Sequence, residues 1–243
     1  MKLHILGVNG PFPESNGATS GYLLEAGESL IQCDLGSGVL ARLSGLTAPE
    51  FLSALFVSHW HFDHTADLPV LMYRLDAMGF GADGRQLPVY GPVDESSAIR
   101  KIIASSACFT LKDIAPGDTV AIGDCTVHVG DARHPVPAIG FRAECGGRIF
   151  GYTGDTNTLP SLPSFYQGCH LLLADGLFPE SAWAEQKPHL SAALAAAVAR
   201  EAKVEKLVLT HLNPLFSSDI LLREARKNHA QVTLAAQGAC MEI

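Results

Sequence analysis

Six consecutive residues, His59-Trp60-His61-Phe62-Asp63-His64, carry three imidazoles and a carboxylate directly after the apolar run Ala54-Leu55-Phe56-Val57. Imidazole and carboxylate together suit zinc, manganese or iron at neutral pH, and the apolar run predicts a buried strand whose end holds the ligands still. On an extended backbone His59 and His61 point the same way, while Asp63 and His64 fall where the chain turns toward a helix. One stretch can therefore feed two metals. Three histidines and an aspartate within six residues point to a ligand cluster rather than to a His-rich surface turn.

Four further polar residues lie where strands are expected to end. They are His134 in Gly130-Asp131-Ala132-Arg133-His134-Pro135, Asp155 in Gly151-Tyr152-Thr153-Gly154-Asp155-Thr156, His211 in Leu209-Thr210-His211-Leu212-Asn213-Pro214, and His189 in Lys187-Pro188-His189-Leu190-Ser191. Each alone is a weak signal, since a single His or Asp in a loop is more often a cap, a turn residue or a satisfied polar group. Three of them follow strands and His189 stands just before a predicted helix; together with the cluster they make one set. His4, His128 and His170, in or beside predicted strands, and His229 at a helix end read as structural.

The elements that must position this set follow from periodicity and turn chemistry. Strands are predicted over Leu3 to Gly7, Gly21 to Glu25 and Leu30 to Asp34, separated by Gly/Pro/Asn/Ser clusters, which is an antiparallel start. A helical period follows Cys33-Asp34-Leu35-Gly36, the next strand runs into the histidine cluster, and Leu68, Leu71, Met72, Leu75 and Met78 mark one helical face. A strand near Pro88 to Tyr90 and a helix over Asp94 to Ser105 close the first half. The second half repeats the plan: strands near Thr119 to Ala121, Thr126 to Val129, Ile139 to Glu144, Arg148 to Tyr152 and Leu171 to Ala174, then an Ala-rich helix capped by Ser191 and running to about Ala202. A strand at Lys206 to Leu209, a helix capped by Ser217 or Ser218 and a strand at Val232 to Leu234 complete it. This order suggests two sheets face to face with helices outside.

The 243 residues fit one compact unit, a single domain over 1–243, with 47% hydrophobic and 17% charged residues and no signature of disorder. No apolar run approaches the ~18 residues of a membrane span, and the first residues read as a strand rather than a secretory signal, so the cytosol is the expected compartment. Cys33, Cys108, Cys125, Cys145, Cys169 and Cys240 are scattered without a CxxC pair and read as reduced thiols. The net charge of −8 and the absence of a Lys/Arg-rich block argue against broad nucleic-acid binding.

On these residues the chain resembles the metallo-β-lactamase fold superfamily, and most of all its tRNase Z-like branch of small phosphodiesterases. The resemblance runs over nearly the whole chain: Asn16 to Tyr22, Cys33-Asp34-Leu35-Gly36, HxHxDH at 59 to 64, His134, Gly-Asp-Thr at 154 to 156, His189-Leu190-Ser191 and Leu-Thr-His at 209 to 211. It implies an α+β fold, a four-layer αββα sandwich, with a dinuclear site at the edge of the sheets. His59, His61 and His134 would bind one metal, Asp63, His64 and His211 the other, and Asp155 would bridge two divalent ions, zinc first, manganese or iron as alternatives. The implied nucleophile is a bridging hydroxide, with Asp63 orienting it and His189 giving a proton to the leaving alkoxide. Asp34 would hold a ligand histidine, and Asp175 sits where relatives often have an acidic residue near the catalytic histidine.

Departures from the family pattern bear on the substrate. No cysteine stands at a ligand position, which disfavours a β-lactamase of the thiolate-using kind. True tRNase Z enzymes carry a long arm between the segments matching His134 and Asp155, and here only 21 residues separate the two. The expectation is therefore a metal-dependent hydrolase of a small phosphodiester, such as a cyclic nucleotide or cyclic ribose phosphate. A tRNA 3′-processing endonuclease, and an ester, lactone or thioester hydrolase using the same site, are the alternatives. Homodimers are common among relatives, so a homodimer is expected. Gly79 to Gln86, with its three glycines, reads as a mobile loop that could gate the site.

Overall fold

The structure, a computed structural model, describes residues 1–243. The first half contains β1 (Lys2–Gly7), β2 (Gly21–Ala26), β3 (Ser29–Leu35), α1 (Val39–Leu46), β4 (Ala54–Phe56), α2 (Phe62–Thr65), α3 (Leu68–Ala77), β5 (Leu87–Gly91), α4 (Ala98–Ser105) and β6 (Phe109–Asp113). The second half contains β7 (Thr119–Ile122), β8 (Cys125–Asp131), β9 (Ile139–Cys145), β10 (Arg148–Tyr152), α5 (Leu162–Phe165), β11 (Leu171–Asp175), α6 (Ala192–Glu201), β12 (Lys206–Thr210), α7 (Ser218–Arg226), β13 (Val232–Leu234) and β14 (Cys240–Glu242).

Two seven-stranded sheets result, ordered β14-β1-β2-β3-β4-β5-β6 and β13-β12-β11-β10-β9-β8-β7. Each begins as an antiparallel meander and continues as parallel strands joined through helices, at β3 to β6 and at β10 to β13. The meanders alternate: on β2, Tyr22 and Leu24 face the other sheet while Leu23 faces α1. The parallel strands are buried on both faces and read as unbroken apolar runs, as in Leu171-Leu172-Leu173-Ala174.

Three clusters define the layers. Ile5, Tyr22, Leu24 and Phe56 of the first sheet interdigitate with Val129, Phe141, Phe150 and Leu173 of the second. Outside the first sheet Leu43, Leu71, Leu75 and Ile103 of α1, α3 and α4 cover Leu55 and Val89. Outside the second, Ala195, Ala196 and Ala199 of α6 lie on Leu172 and Leu209, their small side chains letting the helix approach the sheet closely. This is the expected αββα sandwich, and none of its helices is long and apolar enough to cross a membrane.

Local differences from the sequence reading have local causes. Ser191 caps α6 by accepting from Leu194 N (3.2 Å), as expected. The helix placed over Asp94 to Ser105 starts only at Ala98, because Asp94 closes a turn by accepting from Ser96 N (2.9 Å) and Ser97 is the true N-cap, accepting from Arg100 N (3.1 Å). Ser217 precedes α7 but its side chain makes no capping bond. β6 and β14 were not expected: one is a half-exposed edge strand and the other has three residues, too short for a visible alternation. The Gly79 to Gln86 loop is no gate to the site. It follows ten-residue α3 and lies before β5, at the opposite end of the sheet from the His59–His64 cluster, pinned by Gln86 donating to Ala107 O (2.9 Å).

Candidate metal centre

Every strand that carries a site residue ends at the same edge of the sandwich. β4 delivers Ser58 and His59, the turn into α2 delivers His61, Asp63 and His64, and the loop after β8 delivers His134. The ends of β10, β11 and β12 deliver Asp155, Asp175 and His211, and the loop before α6 delivers His189. Ligand atoms of His59, His61 and His134 lie within 4.8 Å of one another, as do those of Asp63, His64, Asp155 and His211, and those of His134, Asp155 and His189. The first two groups each combine residues from both sheets. All seven residues expected from the sequence to hold metal are thus brought together in two sets.

In the first set His61 Nδ1 lies 3.0 Å from His59 Nε2 and 3.1 Å from His134 Nε2. His134 Nδ1 donates to Pro188 O (3.3 Å), which directs its Nε2 inward. Burial holds His59 well below the ordinary imidazole pKa and lowers His134 to about 4, so both present neutral nitrogens with lone pairs. In the second set Asp155 Oδ1 lies 3.2 Å from His64 Nε2, and Asp155 Oδ2 lies 3.3 Å from His211 Nε2 and 3.6 Å from His59 Nε2. Asp155 therefore reaches both sets. Burial would raise its pKa, but the surrounding imidazoles, His211 and His64 first, hold it well below the carboxylate range. Asp63 Oδ2 stands 3.6 Å from His64 Nε2 and 3.8 Å from His211 Nε2, with its own pKa raised by burial.

The residues fit a cation on a specific observation. His64 Nε2, Asp155 Oδ1 and His211 Nε2 are buried and have no hydrogen-bond partner. Orphaned buried polar atoms are costly, and three of them converging in one place are what a coordinating ion satisfies. Imidazole and carboxylate without thiolate suit zinc, manganese or iron. The cysteines stay out of the centre: five are buried, Cys240 is exposed, and all are free thiols.

Around the ligands a fixed polar frame sets their orientation. Asp34, fully buried, accepts from His64 Nδ1 (2.7 Å), Ser58 N (2.7 Å), Ser58 Oγ (2.8 Å) and Tyr152 Oη (2.7 Å). That locks the His64 ring with Nε2 toward the centre, the role expected for Asp34. Ser20 Oγ bonds to His211 Nδ1 (3.2 Å) in the same way. Asp34 and His211 both adopt left-handed backbone, φ 55° and 56°, which is uncommon for a non-glycine residue; Asn16 and Lys203, away from the ligands, do the same. Ser20, Ser58 and Tyr152 carry no sequence signal of their own, since isolated hydroxyls beside strands are common.

His189 and Asp175 form a second buried pair. His189 Nδ1 donates to Asp175 Oδ2 (2.8 Å), and that carboxylate also accepts from Thr156 N (3.2 Å) and Leu177 N (3.1 Å). Burial alone would lower the His189 pKa, but Asp175 and then Asp155 outweigh it and raise it to about 9. Burial raises Asp175 to about 6 against the pull of His189. The His189 ring stacks on His211 with ring centroids 5.0 Å apart. His4, His128, His170 and His229 stay outside the centre, each bonded within or beside its own sheet or helix end.

Comparisons with known proteins agree with this geometry. The β-lactamase superfamily domain matches residues 21–212. "Probable metallo-hydrolase YhfI" of Bacillus subtilis (strain 168) is 31% identical over the whole of both chains. The crystal structure of that metallo-β-lactamase fold protein superposes with a TM-score of 0.92 at 29% identity, covering 99% of this chain and 98% of that one. "Ribonuclease Z" of Methanopyrus kandleri (strain AV19) is 28% identical across all of this chain and 98% of its own length. Sequence, sandwich and histidine cluster converge on one assignment: the chain belongs to the β-lactamase superfamily.

Proposed function

We propose that this chain, a metal-dependent hydrolase of the β-lactamase superfamily, is a dinuclear phosphodiesterase acting on a small substrate such as a cyclic nucleotide or cyclic ribose phosphate. The observation that carries this reading is the His189–Asp175 pair standing beside two convergent ligand sets, with Asp155 a member of one and 3.6 Å from His59 of the other. His59, His61 and His134 would hold one ion, Asp63, His64 and His211 the other, with Asp155 between them, zinc first and manganese or iron as alternatives. When bound, such ions activate water at neutral pH and neutralise charge on a phosphoryl group.

The chain's own residues supply the rest. Asp63, beside both His64 and His211, accepts a proton from the attacking water and so orients it. His189, with Nδ1 engaged by Asp175, keeps Nε2 for the substrate and gives its proton to the departing alkoxide. Asp175 keeps that imidazole charged and fixes its plane. A small substrate is supported by the β9–β10 connection: the strands are paired up to Arg148 and Cys145 and turn through Gly146-Gly147 alone, so no arm projects there. The similarity to ribonuclease Z over the full length favours a second reading, a tRNA 3′-processing endonuclease that engages RNA without that arm.

Metal-quantified protein assayed on bis(p-nitrophenyl) phosphate, 2′,3′- and 3′,5′-cyclic AMP, a p-nitrophenyl ester and a tRNA precursor separates these readings. Diester turnover requiring about two ions and lost in His61→Ala and Asp155→Ala is the expected result. Cleavage of the ester alone or of the tRNA alone overturns the small-phosphodiester reading.

A further inference from the structure

Charge around the mouth of the centre is one-sided. On one side of His134 a notch of about 190 Å³ is lined by Arg133, His134, Pro135, Gln186, Lys187 and Pro188, with two cations and no carboxylate. On the other side His134 opens onto a groove of about 540 Å³, walled by Val93, Ile114, Val136 and Pro137, in which His134 is the only titratable side chain. The chain as a whole is acidic, with 17 Lys and Arg against 25 Asp and Glu. Four of its nine other arginines are neutralised by carboxylates: Arg74 by Glu50, Arg85 by Asp83, Arg100 by Asp113 and Arg142 by Glu144. Arg133 instead donates to a carbonyl, Glu185 O (3.1 Å), so its charge stays uncompensated. Lys187 stands over the Phe178 ring, Nζ 5.4 Å from the centroid, and Phe178 in turn packs beside His189.

The notch is also built rather than incidental. Asn157, buried at the end of the β10 loop, donates to the carbonyls of both Glu185 and Lys187, and Arg133 reaches across to the first of these. Asn157 thus fixes the 185–188 segment to the β10 loop, and the bonds of Arg133 to Glu185 O and of His134 Nδ1 to Pro188 O tie it to the loop that carries His134. The notch is smaller than the ~300 Å³ at which pockets for whole ligands begin, so it suits one group of a larger molecule.

We propose that Arg133 and Lys187 bind a second phosphate of the substrate, distinct from the phosphodiester that is hydrolysed, with the body of the substrate running into the apolar groove beyond His134. The inference rests on reading this site as one for a phosphodiester, and it narrows that class to molecules carrying an additional phosphate on the His134 side. An arginine offering several donors and a lysine offering a mobile point charge are a common pairing for that purpose.

The test is a binding comparison that does not depend on which bond is cut. The metal-loaded protein is titrated by calorimetry with thymidine 3′,5′-bisphosphate and with thymidine 5′-monophosphate. The bisphosphate is expected to bind about tenfold more tightly or better, the effect of one or two charge-assisted hydrogen bonds. Lys187→Gln, which leaves the Arg133 contact to Glu185 intact, shrinks that ratio, and Arg133→Gln with Lys187→Gln brings it to about one. Arg148→Gln, an exposed arginine at the opposite end of β10, keeps it. Equal affinities in the unaltered protein, a preference that survives the double variant, or no binding of either nucleotide up to millimolar concentration overturns the proposal. Failure of the phosphodiesterase reading appears separately, as absent diester turnover with the binding ratio preserved.

Discussion

His189 Nδ1 and Asp175 Oδ2 are 2.8 Å apart, both buried, beside a carboxylate, Asp155, that reaches both ligand sets. The pair sets the pH window for the proposed proton donation. His189 must be protonated to donate, and with its pKa raised to about 9 the donor form persists through neutrality and is lost as pH rises past that value. The rate should fall on the alkaline side. Asp175→Asn removes the principal group that raises the pKa and leaves burial, which lowers it, so the falling limb moves to lower pH. His189→Ala should reduce kcat by about 10²–10⁴ with little change in metal content, measured as a pH–rate profile beside metal analysis.

The ions should also fasten the two sheets. Because each ligand set draws on both halves of the chain, metal binds the folded state and has no preformed site in the unfolded one. Chelation is expected to lower Tm by about 10 °C, the size that a ligand a thousandfold above its Kd contributes in a chain of this length. Asp155→Ala should reduce occupancy of both sets at once, read by elemental analysis, whereas His61→Ala should empty chiefly one.

Orientation of His64 depends on a carboxylate that touches no ion. Asp34→Asn keeps the shape but replaces the acceptor for His64 Nδ1, so metal affinity should fall about 10–100-fold. Tyr152→Phe removes one of four donors to the same carboxylate and should cost about 1 kcal/mol of stability, measured by urea unfolding.

Gly10 is required by the ring it faces. A methyl group there would overlap the His211 imidazole, and at Gly36 it would strike the Asp63 carbonyl. Gly10→Ala should push His211 off its position while the sandwich survives, lowering turnover about 10²-fold, as expected for a group misplaced by about 1 Å, with unchanged circular dichroism.

Much of this site is legible in the sequence because strands announce themselves. Ala54 to Val57 is a visible apolar run, so the residues after it are known to sit at a strand end, and the same reasoning finds Asp155 after Tyr152 and His211 after Leu209. The edge they share follows from parallel order, since parallel strands all finish at one side. The supporting hydroxyls do not announce themselves: Tyr152 belongs by pattern to the inner core and only the folded chain brings its oxygen to Asp34, 118 residues away. The left-handed backbone at Asp34 and His211 is equally silent, because neither residue type requires it. β6 and β14 were invisible for want of length, and the Gly79 to Gln86 loop misled because glycine content reports freedom of the backbone and says nothing about which end of a sheet a loop occupies.

The thiols, so far a matter of packing, bear on how the protein meets oxidants. Five of the six are buried and none touches the ligand sets, so peroxide has no thiolate at the centre to convert to sulfenic acid. The accessible one, Cys240, sits on β14 beside His4 at the rim of the first sheet. Thiol oxidation would therefore fall on that margin rather than on the ligands.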